Sequence, residues 1–281
     1  MTGLVKVIFE GWMEIKIGSL INIESIKDYK IHFAVWNGHE DPLDVFVRDR
    51  EEWKGWNGWK GTRDDFSRRY IFSLIRYRHR PGTWLFGGIF EVIERLPNKN
   101  IVALTDKYSS YIGRLLIEYH GPGSRGRAFY LEKHFDSLVL SQILEKPYTG
   151  EAFCGYENIE HSFPVLESIF VQKKPDWKSA LENVKGVYLI ADKSNGKKYV
   201  GSAYGDSGIW SRWSCYIGTG HGWNDELTKI IKTEGKDYAR RNFQFSLLEY
   251  RSMKTDDKVI IEREQYWKRA LLSGAFGYNL N

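Results

Sequence analysis

The last third of the chain contains side chains whose types and spacing suit hydrolytic chemistry at a phosphate group. Arg212 and Tyr216 stand four residues apart, so on a helix they point from the same face. A guanidinium can bind a phosphate through two parallel hydrogen bonds. Glu264 has mostly apolar neighbours three and four positions away, and a carboxylate there is costly to bury unless a cation meets it. Together these groups could neutralise phosphoryl oxygens and hold a metal ion.

Two short motifs stand before these residues, Gly186-Val187-Tyr188 and Tyr199-Val200-Gly201. With Arg212, Tyr216, Glu264 and Asn279 they form a series that resembles the GIY-YIG nucleases in order and spacing. The resemblance begins at Gly186, ends at Asn279, and implies hydrolysis of phosphodiester bonds at one metal-bound carboxylate. It therefore implies the following catalytic residues: Tyr188, Lys198, Tyr199, Arg212, Tyr216, Glu264 and Asn279.

Individual roles follow from this resemblance. Glu264 is expected to bind a single Mg²⁺ or Mn²⁺ ion, held otherwise by water and substrate phosphate. Tyr188 is expected to be the base that activates water, although a phenol pKa near 10 requires help from its surroundings. Asn279 is expected to tie the chain terminus to the site. The alternatives are a structural ion pair between Glu264 and Arg212, and two core tyrosines with satisfied hydroxyls.

His221 lies in a glycine-flanked loop and has two interpretations. It could contact a phosphate of a nucleic acid, or it could cap the helix that is predicted to begin near Asn224.

The elements that must position these residues form a small α+β domain. The pattern predicts paired strands at Gly186–Asp192 and Lys198–Ala203, joined by a hairpin, and a third strand at Phe243–Tyr250. Helices are predicted at about Gly208–Ile217, Asn224–Thr233 and Lys258–Leu272. The resemblance implies the same arrangement, a three-stranded antiparallel sheet flanked by helices. A Pro-containing charged segment precedes it, so we predict domains at residues 1–175 and 176–281.

The N-terminal region is predicted to be mainly β, with a curved sheet or small barrel. The strands are expected at Ile31–Trp36, Thr83–Glu94, Tyr111–Tyr119 and Ala128–Leu131. Two helices are expected, at Asp64–Tyr77 and Asp136–Leu144.

This N-terminal region is the predicted place of DNA recognition. Tryptophans interleaved with lysines, and the basic residues that follow, are types that stack on bases and contact phosphates. The residues are Trp53, Trp56, Trp59, Arg78, Arg80 and Arg125. The alternative for the tryptophans is a helix that packs on the sheet. The run Trp84–Val92 resembles a strand of the PUA-like domains that read modified bases, including their EVE branch, which would imply base flipping.

Bulk composition is compatible with a nucleic-acid partner. The net charge is +5 and the pI is about 8.9. Two cysteines predict neither a disulfide framework nor a zinc site. Met1–Trp12 mixes charged and apolar residues, which predicts no signal peptide and no membrane anchor, and a cytoplasmic location is expected.

The sequence thus predicts a metal-dependent DNA endonuclease. Lys198 and the run Val200-Gly201-Ser202-Ala203 are similar to restriction enzymes of the family, which favours a restriction or phage-defence role. Double-strand cleavage would require a homodimer on DNA or sequential nicking, and an enzyme that reads unmodified sequence would need a companion methyltransferase. The alternatives are a homing or repair nuclease of the same family, and a nucleic-acid-binding module without catalysis.

Overall fold

The computed structural model describes residues 14–62, 64–121 and 128–280, which fold into two compact α+β units. The first unit contains the described residues of Met1–Trp36 and Asp49–Tyr148. The second contains Asn37–Arg48 and Thr149–Asn281. The chain therefore contributes one short segment to the second unit before it completes the first.

Among the described residues, none of the helices combines the length and the apolar character that crossing a bilayer requires. The two cysteines, Cys154 and Cys215, are both free thiols, as the sequence predicts.

A mixed sheet of seven described strands forms the core of the first unit. Its spatial order is β6-β1-β2-β3-β5-β7, and β4 also pairs with β3. The pair β1 and β2 is parallel, whereas the other strand pairs are antiparallel. The strands are β1 (Tyr29–Ala34), β2 (Tyr70–Arg76), β3 (Thr83–Arg95), β4 (Asn100–Leu104), β5 (Leu115–Glu118), β6 (Ala128–Tyr130) and β7 (Val139–Ile143).

Two helix predictions for this unit are wrong. The segment Asp64–Tyr77 contains strand β2, and Asp136–Leu144 contains a 3-10 turn followed by strand β7. Strand β2 lies between β1 and β3 and is buried on both faces, so its apolar residues run continuously and do not alternate. Such a run does not separate a buried strand from a helix by periodicity. The strand path has β6 and β7 at its two ends, so the described strands form an open sheet, the first of the two expected forms, and not a closed barrel.

The second unit is built on four antiparallel described strands in the order β10-β9-β11-β8. The predicted hairpin of β9 and β10 is confirmed, with Gly201 opposite Tyr188, and β11 pairs with the other edge of β9. The expected three-stranded sheet gains a fourth strand, because β8 pairs with β11. The strands are β8 (Glu160–Ser162), β9 (Val184–Asp192), β10 (Lys198–Ala203) and β11 (Phe243–Ser252).

The three helices predicted near the motifs are confirmed as α5, α6 and α8. Helix α2 belongs to the first unit and the other helices to the second. The helices are α1 (Pro42–Arg48), α2 (Arg50–Gly58), α3 (Phe163–Val171), α4 (Pro175–Glu182), α5 (Gly208–Thr219), α6 (Asp225–Glu234), α7 (Lys236–Asn242), α8 (Asp257–Ala270) and α9 (Ser273–Phe276).

Helices α5 and α8 pack on opposite faces of the hairpin. Alternate residues of a strand point to opposite faces, and Tyr188 and Tyr199 join the core that contains Trp213 of α5. Val187 and Val200 pack instead against Ile260 of α8. Groups from the two helices meet at the edge of the sheet that β10 forms.

A buried ionic cluster fastens α1 to the rest of the second unit. The carboxylate of Glu167 on α3 is 3% exposed and accepts hydrogen bonds from Arg48, Lys236 and Arg240, at 3.4, 3.0 and 2.8 Å. Burial alone would raise the pKa of this carboxyl, but the Arg240 hydrogen bond and the neighbouring cations hold it below its ordinary value. Because Arg48 ends α1, the early segment is an integral part of this unit.

Candidate active site

A cavity of about 400 Å³ opens at the edge strand β10. It receives side chains from both faces of the hairpin, including a phenol, a guanidinium and a carboxylate. The cavity is lined by Tyr199, Ser202, Ala203, Tyr204, Gly205, Asp206, Gly208, Ser211, Arg212 and Glu264. Three of the predicted catalytic residues, Tyr199, Arg212 and Glu264, therefore border one space.

Arg212 is held by a network of three hydrogen bonds. Its Nε donates to the hydroxyl of Tyr188 at 3.1 Å, and its Nη2 donates to the hydroxyl of Tyr216 at 3.2 Å. Its Nη1 donates to the carbonyl of Gly222 at 2.9 Å. A guanidinium has five N–H donors, so two remain for a ligand in the cavity. Arg212 is thus both fixed in orientation and still able to bind a phosphate.

Tyr188 is buried and is not among the residues that line the cavity. Its side chain is 0% exposed, and its hydroxyl also donates to that of Tyr216 at 3.2 Å. Burial raises the pKa of Tyr188 well above its ordinary value, and the nearby Tyr199 hydroxyl raises it further, against the lowering effect of Arg212. The contacts of Tyr188 suit a residue that positions Arg212, and its expected role as the base stays a prediction.

Tyr216 shares this position, with burial raising the pKa of its hydroxyl well above the usual value. Tyr199 differs, because it borders the cavity from the α5 face of β10. It is the hairpin phenol that can reach a bound ligand.

The motif glycines serve the packing of the protein and not the approach of substrate. A Cβ at Gly201 would lie 2.5 Å from the hydroxyl oxygen of Tyr188, so glycine is required for that ring to cross β10. A Cβ at Gly186 would collide with the backbone of Glu249 on β11, beside a bulge.

Glu264 meets a hydroxyl and an ammonium group at the cavity. Ser202 on β10 donates a hydrogen bond to Oε2, and Lys268, one helical turn along α8, lies 2.8 Å from Oε1. The side chain of Glu264 is 15% exposed. The ion-pair partner of Glu264 is Lys268. The alternative of a structural ion pair between Glu264 and Arg212 is therefore wrong.

The donor set fits a metal that is held mainly by water and substrate. A carboxylate offers about four lone-pair positions, and Ser202 and Lys268 occupy two of those on Glu264. Asp206 adds a second carboxylate to the cavity lining. Within the described residues, no group of three or more His, Cys, Asp or Glu side chains is arranged to hold a metal. Mg²⁺ is commonly bound by one or two carboxylates and substrate phosphate, and this lining matches that pattern.

Asn279 fastens the outer edge of β10. Its side-chain amide accepts from the N–H of Val200 and donates to the carbonyl of Val200, both at 2.8 Å. The backbone N–H of Tyr278 adds a bond to the carbonyl of Lys198. Asn279 therefore acts as one more strand residue beside β10. Lys198 is partly exposed but does not border the cavity.

His221 is involved in the start of α6. Its Nδ1 accepts from the backbone N–H of Trp223 and contacts the hydroxyl of Thr228, both at 3.0 Å. Asn224 caps the helix through a bond from the N–H of Leu227. Burial lowers the pKa of His221, which disfavours the charged form that would attract a phosphate. These contacts match the capping interpretation.

The N-terminal candidates lie in the first unit. Trp53 on α2 is 2% exposed and donates its indole N–H to the carbonyl of Gly87 at 3.1 Å. Its predicted role in base stacking is corrected, because the ring belongs to the core. Trp56 is half-buried and Trp59 is exposed.

The basic candidates of the same unit occupy the turn between β2 and β3, where Arg78 is half-buried and Arg80 is exposed. The Nη1 of Arg80 donates to the hydroxyl of Ser141 at 3.0 Å. Arg125 lies outside the described residues.

Five residues at the cavity or on Glu264 were not assigned a role from the sequence. Ser202 follows the second motif and points to the face opposite Tyr199, which strand alternation could have indicated. Lys268 stands four residues after Glu264, a spacing that commonly pairs charges on a helix. The other three residues, Tyr204, Asp206 and Ser211, reach the cavity from a loop and a helix start that carry no signal in the sequence.

Comparison with known proteins finds solved structures that are similar to about a third of this chain. No protein-family model matches the chain, and no curated protein matches it. One similar solved structure is the catalytic domain of the intron endonuclease I-TevI, in a glutamate-to-alanine mutant, with 30% identity and a TM-score of 0.28. The match covers 35% of this chain and 94% of that one.

A second structure, of the catalytic domain of the homing endonuclease I-TevI, is 31% identical. It is matched over 34% of this chain and 98% of its own length, with a TM-score of 0.28. The function proposed below rests on the geometry of the cavity.

Proposed function

We propose that the second unit is a metal-dependent endonuclease of the GIY-YIG type that hydrolyses phosphodiester bonds in DNA. This proposal is supported mainly by the finding that Arg212 and Glu264 border one cavity of about 400 Å³, although their helices pack on opposite faces of the hairpin. A guanidinium with two free N–H donors and a half-buried carboxylate are the groups that phosphodiester hydrolysis needs for charge neutralisation and metal binding.

The chemistry divides among the residues as follows. In the reaction, the oxygen of a water molecule forms a bond to phosphorus while the bond to the leaving sugar oxygen breaks. The attacking water loses a proton, and the leaving oxygen gains one. Arg212 donates its remaining N–H groups to a non-bridging oxygen, and Tyr188 and Tyr216 hold the guanidinium in place. Tyr199, which borders the cavity, would orient the attacking water.

Glu264 would hold one Mg²⁺ or Mn²⁺ ion, with Ser202 fixing the carboxylate orientation. When bound, such an ion supplies Lewis-acid stabilisation of the phosphoryl oxygens and lowers the pKa of coordinated water. Lys268 would neutralise the carboxylate when it is not coordinated.

Recognition of the target is proposed for the first unit, through exposed Trp59 and the basic turn that contains Arg78 and Arg80. The similarity of Lys198 and Val200–Ala203 to restriction enzymes supports a restriction or phage-defence role. Because one site cuts one strand, the proposal includes dimerisation on DNA. It also includes a companion methyltransferase.

The ion pair between Lys268 and Glu264 favours a second candidate function, a nucleic-acid-binding module without catalysis. An ammonium group 2.8 Å from the carboxylate occupies part of the space that a metal would use. In such a module Arg212 would still bind phosphate.

One experiment separates the two candidates. Wild-type protein and the Glu264→Gln variant would be incubated with supercoiled plasmid in Mg²⁺, Mn²⁺ or EDTA. Substrates would include unmodified, methylated, hydroxymethylated and glucosylated DNA, and a structured RNA. An endonuclease converts one of the DNAs to nicked or linear product only with metal, and Glu264→Gln does not. DNA binding without cleavage in every metal would support the binding module, and cleavage of RNA alone would overturn the DNA assignment.

A further inference from the structure

The loop between α5 and α6 has an unusual backbone beside the candidate active site. Gly220, Gly222 and Trp223 have positive φ angles of 82°, 56° and 63°. Glycine adopts this left-handed region without steric cost, but for a bulky residue such as tryptophan it is an outlier. Trp223 therefore occupies a position at which its own side chain strains the backbone.

The same loop is fastened to the catalytic network. Arg212 donates Nη1 to the carbonyl of Gly222, and the backbone N–H of Gly222 donates to Oγ1 of Thr219 at 2.8 Å. Gly222 lies so close to the ring of Tyr216 that a Cβ could not be accommodated. Trp223 follows directly, so the guanidinium that contacts the cavity also fixes the residue that precedes the tryptophan.

The indole of Trp223 gains little from the fold. It is 73% exposed, and its ring contacts the edge of the His221 ring at 5.1 Å between centroids. A large aromatic ring that stays exposed contributes little to the stability of the folded protein, because its apolar surface is not buried. Backbone strain that persists in a well-fastened loop is found preferentially at ligand clamps and active sites. Both features are explained if the ring meets its partner only in a complex.

We propose that Trp223 stacks on a nucleobase of the DNA, next to the phosphate that Arg212 binds. The inference rests on the proposed nuclease function and adds to it a second contact point for the substrate. An exposed indole offers a flat face to a base that has left the duplex stack, and such stacking tolerates sequence because every base has a π face. Gly222, whose carbonyl accepts a hydrogen bond from Arg212, directly precedes Trp223 in the chain. The substrate nucleotide beside the cleaved bond would thus be held by its phosphate and its base together.

The test uses substitutions that relieve strain and remove the ring. Trp223→Gly and Trp223→Asn suit a left-handed position, whereas Trp223→Phe keeps an aromatic face. Phe276→Ala is the control, since Phe276 is 74% exposed on α9 and does not border the cavity. Affinity would be measured by anisotropy with a fluorescein-labelled mixed-sequence duplex, in the Glu264→Gln background with Mg²⁺ to prevent cleavage.

Loss of one base stack is expected to weaken binding about 5- to 100-fold in the Gly and Asn variants. Their melting temperatures should be unchanged or higher, because strain is removed. Trp223→Phe should retain most of the affinity, and Phe276→Ala all of it. A purely structural tryptophan would instead show lower melting temperatures in both variants.

A second readout follows the base itself. Duplexes that carry 2-aminopurine at successive positions around the mapped cleavage point should show, at one position, a fluorescence change that depends on Trp223. Equal affinity and equal fluorescence for wild type and Trp223→Asn would overturn the stacking inference while leaving the nuclease proposal intact. Weaker DNA binding by Trp223→Asn in a protein that cuts no DNA would support stacking and overturn the nuclease. Absence of any DNA binding by wild type would overturn both.

Discussion

The hydroxyl of Ser202 donates a hydrogen bond to the carboxylate of Glu264, and so joins edge strand β10 to helix α8 at the candidate active site. Neighbours that hydrogen-bond to a metal-binding carboxylate fix its orientation, and their loss commonly costs about 10- to 100-fold in metal affinity or activity. Ser202→Ala should therefore raise the Mg²⁺ concentration needed for half-maximal cleavage by about tenfold or more. Ser214→Ala is the matched control, because Ser214 is an exposed residue of α5. An unchanged metal requirement in Ser202→Ala would show that Ser202 does not orient the ligand.

Glu264→Gln should abolish cleavage and leave DNA affinity within a few-fold of wild type. The amide keeps the shape of the side chain but removes the charge that attracts a divalent ion. Glu262→Gln provides the comparison, since Glu262 is an exposed residue of the same helix. Gel-based cleavage and anisotropy binding would be measured in parallel. Cleavage by Glu264→Gln at the wild-type rate would remove Glu264 from the mechanism.

Arg212→Lys should lower the cleavage rate by about 10²-fold or more, the size of effect seen when a preorganised transition-state donor is lost. Lysine cannot reproduce the fork that bonds to Tyr188, Tyr216 and Gly222 together. Single-turnover rates at saturating DNA would report this loss. A variant that cuts normally would mean that the phosphate is bound elsewhere.

Tyr188→Phe distinguishes positioning from base catalysis. As a positioning change it removes one acceptor of Arg212, so the rate should fall far less than in Arg212→Lys and keep its shape against pH. The unpaired Nε should also lower stability by about 1–3 kcal/mol. Loss of a true general base would instead cost about 10²- to 10⁴-fold and alter the pH profile. Such a loss, with stability intact, would support Tyr188 as the base.

Acid should destabilise the second unit through Glu167. Its folded pKa lies below the ordinary value of 4.5, so its contribution is fully present above that pH. The contribution is lost as the pH falls through the lower folded pKa. Glu167→Gln removes the buried charge that Arg48, Lys236 and Arg240 share and should cost about 3–5 kcal/mol near neutral pH.

The loss in Glu167→Gln should shrink as the pH falls, because the wild-type carboxyl is then protonated as well. Thermal unfolding at a series of pH values would measure it. The control is Glu182→Gln, since Glu182 forms an exposed pair with Lys178 that contributes little. A difference in melting temperature between wild type and Glu167→Gln that stays the same at all pH values would contradict the pKa shift.

Local patterns predicted much of the second unit because its signals are local. The hairpin between β9 and β10 and the start of a helix near Asn224 are signalled by neighbouring residues, and both appear where expected. Strand β8 was missed because it is only three residues long and depends on its pairing with β11. Strand β2 was mistaken for a helix because burial on both faces removes the alternation that marks a strand.

The sequence indicates the motif residues but not which side chains line the cavity. Tyr188 and Tyr199 have equal standing in the sequence, yet one is enclosed beneath Arg212 and the other borders the cavity. That difference depends on how α5 packs over the hairpin, which no spacing encodes. The ammonium partner of Glu264 and the loop carboxylate of Asp206 likewise emerge only from the folded arrangement.

The path of the chain decides how this protein can be divided. Three peptide links connect the two units, at Trp36–Asn37, Arg48–Asp49 and Tyr148–Thr149, so no single cut separates them. A fragment that begins at residue 149 would lack α1 and with it the Arg48 partner of Glu167, and one that begins at residue 176 would lack α3 and β8 as well. Exchange of the first unit for that of another protein would therefore require grafting at two places in the gene, with the early segment kept beside the second unit.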